Sequence, residues 1–502
     1  MISGIKLLRR NLISNAVGVI APALAWVLVV PLLVHRLGEH AYGVYTVAIS
    51  FAGILGFLEL GLTSAATKYI AEVDTRNSVE RLERIVSTNV SLYLGLGSGI
   101  AVLTFFLAPY IAPLVFRGSG VDQQELMSVV RLVGVLFALT VLRNALSSVP
   151  RGFQRYDIHN AIQVTYAIGL ALTQGAIVLL GGRVLALMLG NLAVATASLI
   201  GFTLVVRRLI PTIRLVRLPD RGTLQVLFGF GMYMMVINAT GTLLFTVDKV
   251  IVGWTSGVAD VTYYAVPTQT LLKFHTGVAV LTSVLFPLAS EVQSMGDQAT
   301  LRKIYLHSTR FVMLIYGLLM AFVGTFAREI LAMWISPGFA ALSSPILAVM
   351  SLGYLFLALS ITPYHILIGT GHPREMAVLN IMAALCVVLG LTLGVTRFGL
   401  VGGAVGATVG MGAMVVLPWY VQRLLHISWR RALIDGYGRT LVCSVVGIAA
   451  GALLSRYLVA RLIFYPGFAF ALLTWGNVER EDWHRVRSLC RQAVARLPVS
   501  TG

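Results

Sequence analysis

Residues 247–291 read VDKVIVGWTSGVADVTYYAVPTQTLLKFHTGVAVLTSVLFPLASE, and they repeat residues 28–72 at a constant offset of 219 without a gap. The identities that set this register are Gly38 with Gly257, Tyr45 with Tyr264, Leu62-Thr63-Ser64 with Leu281-Thr282-Ser283, and Glu72 with Glu291. The same offset continues downstream, where residues 134–137 match 353–356 and residues 170–175 match 389–394. A long internal period of this kind predicts that one unit occurs twice in the chain.

The composition places the chain in a lipid bilayer. Hydrophobic residues make up 57% of the 502 residues and charged residues only 12%, whereas soluble domains carry about 25% charged residues. The net charge of +18 does not indicate nucleic-acid binding, because the basic residues form short clusters between apolar runs. Cys386, Cys443 and Cys490 lack metal-ligand spacing, so the sequence predicts neither a metal site nor a cofactor.

Apolar segments of spanning length predict an all-α integral membrane protein with about 14 transmembrane helices. The first repeat supplies segments at 12–34, 43–68, 87–116, 127–149, 159–181 and 184–206. The second supplies segments at 224–254, 261–289, 304–335, 343–369, 375–397 and 400–423, and two unpaired segments follow at 434–456 and 459–476. The predicted domains are a six-helix bundle (1–207), a basic connector (208–222), a second six-helix bundle (223–424), two additional helices (425–476) and a basic cytoplasmic tail (477–502).

The distribution of basic residues predicts the orientation. Most Lys and Arg residues lie near the N-terminus, in every second connection and in the tail, which assigns these parts to the cytoplasm. With an even helix count, both termini lie there. Because each repeat has an even number of helices, the two bundles are expected to be parallel and related by an axis along the membrane normal. Two such bundles can rock about a central cleft, which indicates transport.

Glycines recur at a spacing of four in the twelfth segment, where they form two stripes of small residues. One stripe is Gly402, Gly406 and Gly410, and the other is Gly399, Gly403 and Ala407. Such stripes are typical of closely packed membrane helices. A phosphate-binding loop is not indicated, because no Lys-Ser/Thr pair follows the glycines and no strand precedes them.

Several motifs resemble the polysaccharide-exporter family of lipid-linked oligosaccharide flippases. The opening of the chain carries Pro31-Leu32-Leu33-Val34-His35-Arg36-Leu37-Gly38, Tyr42-Gly43-Val44-Tyr45 and Glu59-Leu60-Gly61-Leu62. The middle carries Asp248-Lys249-Val250-Ile251-Val252-Gly253, Tyr263-Tyr264 and Phe286-Pro287, and the later part carries Gly369-Thr370-Gly371-His372-Pro373 and Phe398-Gly399-Leu400-Val401-Gly402-Gly403. The likeness covers about the first 420 residues.

The resemblance implies the fold of the multidrug/oligosaccharidyl-lipid/polysaccharide exporter superfamily and a place in the bacterial inner membrane. It implies a substrate built on a polyprenyl pyrophosphate, which is moved from the cytoplasmic to the periplasmic leaflet. The implied partners are this lipid-linked oligosaccharide, the membrane, and a glycan polymerase or glycosyltransferases. No catalytic residue is predicted, and the chain is not expected to be an enzyme.

Two other functions are alternatives to lipid flipping. A cation-coupled drug or small-molecule antiporter of the same superfamily typically has acidic residues in its first helix, but residues 12–34 contain none. A membrane glycosyltransferase or glycan polymerase needs a catalytic group on a substantial aqueous loop, whereas even the longest predicted outer connections, near 117–126 and 255–261, are short.

Ionisable residues inside the apolar segments are the candidate substrate contacts, because a charge at that depth costs about 2.5–3.5 kcal/mol unless it faces a partner or a watery cavity. The predicted cleft contains Lys273, Lys249, Asp248, Arg36 and Glu59, with Asn238 and His275 as weaker polar contacts. Lys273 is the expected principal head-group contact, and Lys249 and Arg36 are expected to form a second binding position nearer the periplasm. A structural bridge from Asp248 to Lys249 or Lys273 remains an alternative, and Arg143 is assigned as a cap of the fourth helix.

Overall fold

The computed structural model describes residues 2–59, 61–73, 79–454 and 458–475, and every regular element in these ranges is helical. The first half contains α1 (Ile2–Leu55), α2 (Leu62–Glu72), α3 (Val79–Val115), α4 (Gln123–Gly152), α5 (Tyr156–Leu179) and α6 (Val184–Leu209). A short 3-10 turn, Gly56–Glu59, lies between α1 and α2. The predicted tail, 477–502, lies outside the described residues.

The second half is divided into more and shorter helices. These are α7 (Arg221–Phe245), α8 (Val247–Ser256), α9 (Val258–Thr282), α10 (Leu285–Ser294), α11 (Gln298–Thr325), α12 (Ala327–Trp334), α13 (Pro337–Ala358), α14 (Ile361–Gly369), α15 (Pro373–Gly412), α16 (Val416–Leu424), α17 (Trp429–Arg431), α18 (Gly438–Leu453) and α19 (Leu458–Trp475). Many breaks fall inside segments that the sequence predicts as single helices, for example at Thr246, between α7 and α8.

Within the described ranges, eight helical runs are long and apolar enough to cross a membrane. A single crossing needs about 20 residues, so the runs Val17–Glu59, of 43 residues, and Pro373–Leu424, of 52 residues, are each long enough to cross twice. Shorter apolar helices occupy Gly438–Gly451 and Leu458–Thr474. The chain is an all-helical, multi-pass membrane protein, and the count of 14 helices stays a prediction.

The predicted glycine stripe packs the two arms of α15 against each other. The backbone leaves helical geometry at Gly399, where φ is +68° and ψ is −162°. A Cβ on Gly406 would lie 1.9 Å from the carbonyl oxygen of Gly390, and one on Gly402 would lie 2.6 Å from that of Gly394. The two arms therefore run antiparallel, backbone against backbone, and the predicted packing role of this stripe is confirmed.

Two backbone features recur at the predicted offset of 219. Gly38 has φ +79° and ψ 162°, and Gly257 has φ +101° and ψ 160°. This combination is essentially restricted to glycine. In addition, α3 begins at Val79 and α11 begins at Gln298, which are separated by the same offset of 219. The relation of the two halves by an axis along the membrane normal stays a prediction.

The two halves of the chain meet tightly next to these two glycines, at what we call the closed end. A Cβ on Gly43 would lie 1.8 Å from the carbonyl oxygen of Val258. Thr262 Oγ1 donates a hydrogen bond of 2.5 Å to the carbonyl oxygen of Glu39, and the Tyr263 hydroxyl is hydrogen bonded to the Glu39 carboxylate. The backbones of the two halves are therefore in direct contact here.

Aspartate caps fix where two helices of the second half begin. The Asp220 carboxylate accepts from the backbone N–H of Thr223 at 2.9 Å and from its hydroxyl at 2.8 Å. Asp297 accepts from the N–H and hydroxyl of Thr300 in the same way. These bonds favour the ionised carboxylate, so the Thr223 N–H and then its hydroxyl hold the pKa of Asp220 below its usual value.

The two helices without a counterpart in the first half, α18 and α19, pack against α11. Arg461 on α19 is buried and donates to both carboxylate oxygens of Glu329 on α12, at 2.8 and 2.6 Å. It also donates to the carbonyl oxygen of Thr325 at 2.7 Å. These bonds attach α19 to α11 and α12.

We expect the substitution Arg461→Ala to destabilise the protein. Breaking a buried ion pair costs about 3–5 kcal/mol, and the lower end of that range applies because the Glu329 side chain keeps 27% of its exposure. Thermal unfolding of the purified protein in detergent would measure the loss. Arg328→Ala, at an exposed neighbouring position, is the matched control, and equal melting temperatures for the two variants would contradict the prediction.

Candidate functional site

A cavity of about 420 Å³, cavity A, lies between α1, α5 and α9. Its polar lining residues are His159, Asn160, Gln163, Tyr166, Gln174 and Lys273. Two of them are already satisfied, since Asn160 donates to Ser14 and Asn15, and Gln174 donates to Tyr45 and Asn191. Lys273 is the one Lys, Arg, Asp or Glu among the described lining residues.

Lys273 stands in cavity A without a counter-charge. Its ammonium lies 5.8 Å from the ring centroid of Trp26, close to the outer limit for a cation–π contact. No described carboxylate forms an ion pair with it, and Asp248, one of its predicted partners, pairs with Lys249 instead. An unpaired cation at this depth in a membrane protein indicates a watery cavity or an anionic ligand.

Arg143, which the sequence assigns as a helix cap, lies between α4 and α5. Its guanidinium stacks on Tyr166, 4.1 Å from the ring centroid. Tyr166 is one of the residues that line cavity A. The Nε and Nη1 atoms of Arg143 are buried and have no hydrogen-bond partner among the described residues. A second cation therefore stands directly behind the wall of cavity A. The sequence signal was its position in an apolar helix, which does not reveal the direction of the side chain.

Glu59 belongs to a hydrogen-bonded cluster where the predicted second helix is broken. The turn Gly56–Glu59 and the left-handed Gly61, with φ +63°, separate α1 from α2. The Glu59 carboxylate accepts from Thr63 Oγ1 at 2.8 Å and from Asn144 Nδ2 at 3.3 Å. Glu59 therefore lies against α4.

A second cavity, cavity B, has a volume of about 500 Å³ and lies between α7, α9, α14 and α15. Its polar lining residues are Asn238, Thr242, Thr246, His275, Ser360, Tyr364, His365 and Asn380. The described lining contains no Lys, Arg, Asp or Glu. Asn238 and His275, which the sequence predicted as weak polar contacts, therefore lie together, but in a different cavity from Lys273.

Asp248 and Lys249 form a buried ion pair that lines neither cavity A nor cavity B. Lys249 Nζ donates to Asp248 Oδ1 at 2.8 Å and to the carbonyl oxygen of Phe245 at 2.7 Å. The Lys249 side chain is only 5% exposed and the Asp248 side chain only 9%. In this conformation the pair is the structural bridge that the sequence left as an alternative.

Arg36 lies at the closed end, in a third cavity of about 740 Å³, cavity C. Asp122, Glu125 and Arg183 are also in its lining. Arg36 and Trp26 are ten residues apart on one helical stretch of α1, which corresponds to about 15 Å along the axis. Arg36 is therefore too far along the helix to share a phosphate group with Lys273.

The single cleft predicted from the sequence is thus divided among several places in the structure. Helix geometry explains part of this division, because Lys273 and His275 are two residues apart on α9 and point in directions that differ by about 200°. Within the described ranges, no group of three or more His, Cys, Asp or Glu residues is arranged to hold a metal ion. Cavity A, with Lys273 and the adjacent Arg143, is the strongest candidate site for an anion.

Comparisons with known proteins show the family of this chain. The family model described as "Polysaccharide biosynthesis protein" matches residues 8–293, which is more than half of the chain. A putative O-antigen transporter of Shigella flexneri is 23% identical over 420 residues, which cover 83% of this chain and 98% of that protein.

Two solved structures show the same fold. One is the lipid II flippase MurJ in an inward closed conformation, with a TM-score of 0.68 at 13% identity. The match covers 96% of this chain and 99% of the MurJ chain. A multidrug resistance MATE family transporter of the MOP superfamily, in an inward-facing conformation, has a TM-score of 0.67 at 16% identity, with 82% and 98% covered. The motif resemblance is therefore confirmed: the chain belongs to the polysaccharide biosynthesis protein family, and it shares its fold with the MOP-superfamily transporter and the flippase.

Proposed function

We propose that this protein flips a polyprenyl-pyrophosphate-linked oligosaccharide from the cytoplasmic to the periplasmic leaflet of the bacterial inner membrane. The observation that carries the proposal is the unpaired Lys273 in cavity A, with Arg143 behind the Tyr166 wall of that cavity. A pyrophosphate cannot cross hydrocarbon unaided, and one cation in a polar cavity with a second cation behind its wall offsets the loss of its hydration. The name of the O-antigen transporter relative supports this substrate class.

The mechanism we propose is alternating access by two parallel bundles. The halves touch through Gly43 and Val258 at the closed end, which the distribution of basic residues assigns to the periplasm. Separation of this contact would open the periplasmic side while the cytoplasmic side closes. Cavity A would then face each leaflet in turn while the lipid tail stays in the bilayer. A glycan polymerase or glycosyltransferases that act on the same lipid are the proposed partners.

A cation-coupled antiporter is the second candidate, since the fold is shared with a multidrug transporter. Such a mechanism needs a carboxylate that binds the coupling ion, and the described lining of cavity A contains none. Glu59 is a carboxylate of the first bundle that could take this role. A transport assay that measures both lipid flipping and drug efflux distinguishes the two candidates.

The decisive experiment for the proposed function is a flipping assay with the purified protein in proteoliposomes. A polyprenyl pyrophosphate that carries a short fluorescent glycan would be placed in one leaflet, and its arrival in the other leaflet would be followed by quenching. We expect protein-dependent transfer of this lipid but not of a neutral polyprenol glycoside. Equal transfer in protein-free vesicles would overturn the proposal.

The proposed orientation makes a prediction about the C-terminus. Because most basic residues lie on one side and the predicted helix count is even, both termini should be cytoplasmic. A reporter that is active only in the periplasm should therefore stay silent when it is fused after Gly502. The same reporter fused after Gly120, in an outer connection, is the positive control. Strong activity after Gly502 would contradict the orientation or the even count.

A further inference from the structure

The lining of cavity B has the chemistry of a site for a neutral, hydroxyl-rich ligand. Asn238 and Asn380 each present an amide that both donates and accepts hydrogen bonds. Within the described part of the chain, neither side-chain amide has a hydrogen-bond partner. Unsatisfied amides in a polar cavity indicate that water or a ligand supplies their missing bonds.

Aromatic contacts hold the imidazole of His275 in a fixed position at this cavity. Its Nδ1 shares a hydrogen bond of 2.6 Å with the Tyr316 hydroxyl. The rings of Phe245 and Tyr354 have their centroids 5.7 Å and 6.0 Å from that of His275. A polar group that neighbouring rings preorganise loses little entropy when it binds a ligand.

Cavities A and B occupy related positions in the two halves. Trp26 lines cavity A and Phe245 lines cavity B, and these two aromatic residues are separated by the repeat offset of 219. Lys273 and His275 lie within one turn of α9, about 3 Å apart along its axis. The two cavities therefore stand at nearly the same depth on either side of one helix, which is about 10–12 Å wide.

We propose that cavity B binds an uncharged sugar ring of the glycan while cavity A holds the pyrophosphate, an inference that rests on the proposed function. Sugar hydroxyl and acetamido groups match the amides, hydroxyls and imidazole of cavity B, and the aromatic side chains offer flat apolar surfaces to a pyranose face. A sugar carboxylate would lose its hydration without meeting a cation, because the described lining has none. Charge recognition and sugar recognition are thus assigned to different cavities, on opposite sides of α9.

Two lipid probes separate these contributions in a binding experiment. One is a polyprenyl pyrophosphate without sugar, and the other is the same lipid with one neutral N-acetylhexosamine. Their affinities for the full-length protein in nanodiscs would be measured for the wild type, Asn380→Leu, His275→Phe and Lys273→Ala. Thr396→Val is the matched control on α15, because the Thr396 hydroxyl bonds only to carbonyl groups of its own helix.

We expect the sugar to raise the affinity of the wild type by about tenfold, the effect of one to two neutral hydrogen bonds. Asn380→Leu and His275→Phe should remove this increment and leave binding of the sugar-free lipid unchanged, which also shows that these variants are folded. Lys273→Ala should weaken both lipids. If both cavity B variants still bind the sugar-bearing lipid more tightly than the sugar-free lipid, as the wild type does, the sugar site is overturned but the proposed function stands. Failure of both lipids to bind the wild type overturns both proposals.

Discussion

Replacing Lys273 with alanine is expected to abolish glycan export, while the protein still inserts into the membrane at normal levels. Lys273 is the one charged residue in the described lining of cavity A and has no carboxylate partner there. Its removal should leave the local packing intact, because its only ring contact is the long one to Trp26. A charge-assisted hydrogen bond is worth about 1.5–3 kcal/mol, so binding of the pyrophosphate should fall by at least about tenfold.

The test is glycan export in cells together with the amount of protein in the membrane fraction. Lys273→Arg should retain part of the activity, because it keeps the charge but changes its geometry. Lys303→Ala, at an exposed position of α11 outside the three cavities, is the control for losing a lysine. Full export by Lys273→Ala would remove this residue from the mechanism.

The local backbone structure at several glycines could be predicted from the sequence. The constant offset pairs Gly38 with Gly257 in the sequence, and in the structure both positions have a positive φ that other residues rarely adopt. The stripe of Gly402 and Gly406 could be interpreted as close packing because only a missing side chain allows backbone contact. These features depend on local geometry, which the sequence pattern records directly.

Side-chain partners were harder to predict than helices. Asp248 and Lys249 are adjacent in α8, and adjacent residues on a helix do not normally face each other. The long Lys249 side chain nevertheless turns back to the Phe245 carbonyl oxygen and reaches Asp248 on the way. No pattern in the sequence distinguishes this bend from an extended lysine in a cleft.

The direction in which a buried side chain points was also difficult to predict from the sequence. Arg143 lies in an apolar helix, and its depth alone is compatible with a cap or with a buried site. The stacking on Tyr166 depends on how α4 and α5 pack, which requires the tertiary structure. Glu59 was predicted inside one continuous helix, but the turn before Gly61 rotates it toward Asn144. A break of this kind changes which bundle wall a side chain joins.

Gly43→Val is expected to block transport by preventing the closed end from forming. A Cβ at position 43 would lie 1.8 Å from the carbonyl oxygen of Val258 and 3.1 Å from Thr262 Oγ1. These atoms belong to α9, in the other half of the chain, and a backbone carbonyl cannot swing away as a flexible side chain can. Overpacking of a tight contact costs about 1–3 kcal/mol or more, which is enough to shift a two-state equilibrium by about tenfold or more.

Two measurements would show whether the block acts through this interface. Flipping in proteoliposomes should fall at least about tenfold. In addition, a cysteine introduced at Thr262, which is fully buried at the closed end, should react faster with a membrane-impermeant maleimide in the Gly43→Val background. Gly95→Val is the matched control, since no atom lies within 4 Å of a Cβ at that helical position. Normal flipping by Gly43→Val would mean that the contact between Gly43 and Val258 is not part of the transport cycle, and alternating access would then need a different closing surface.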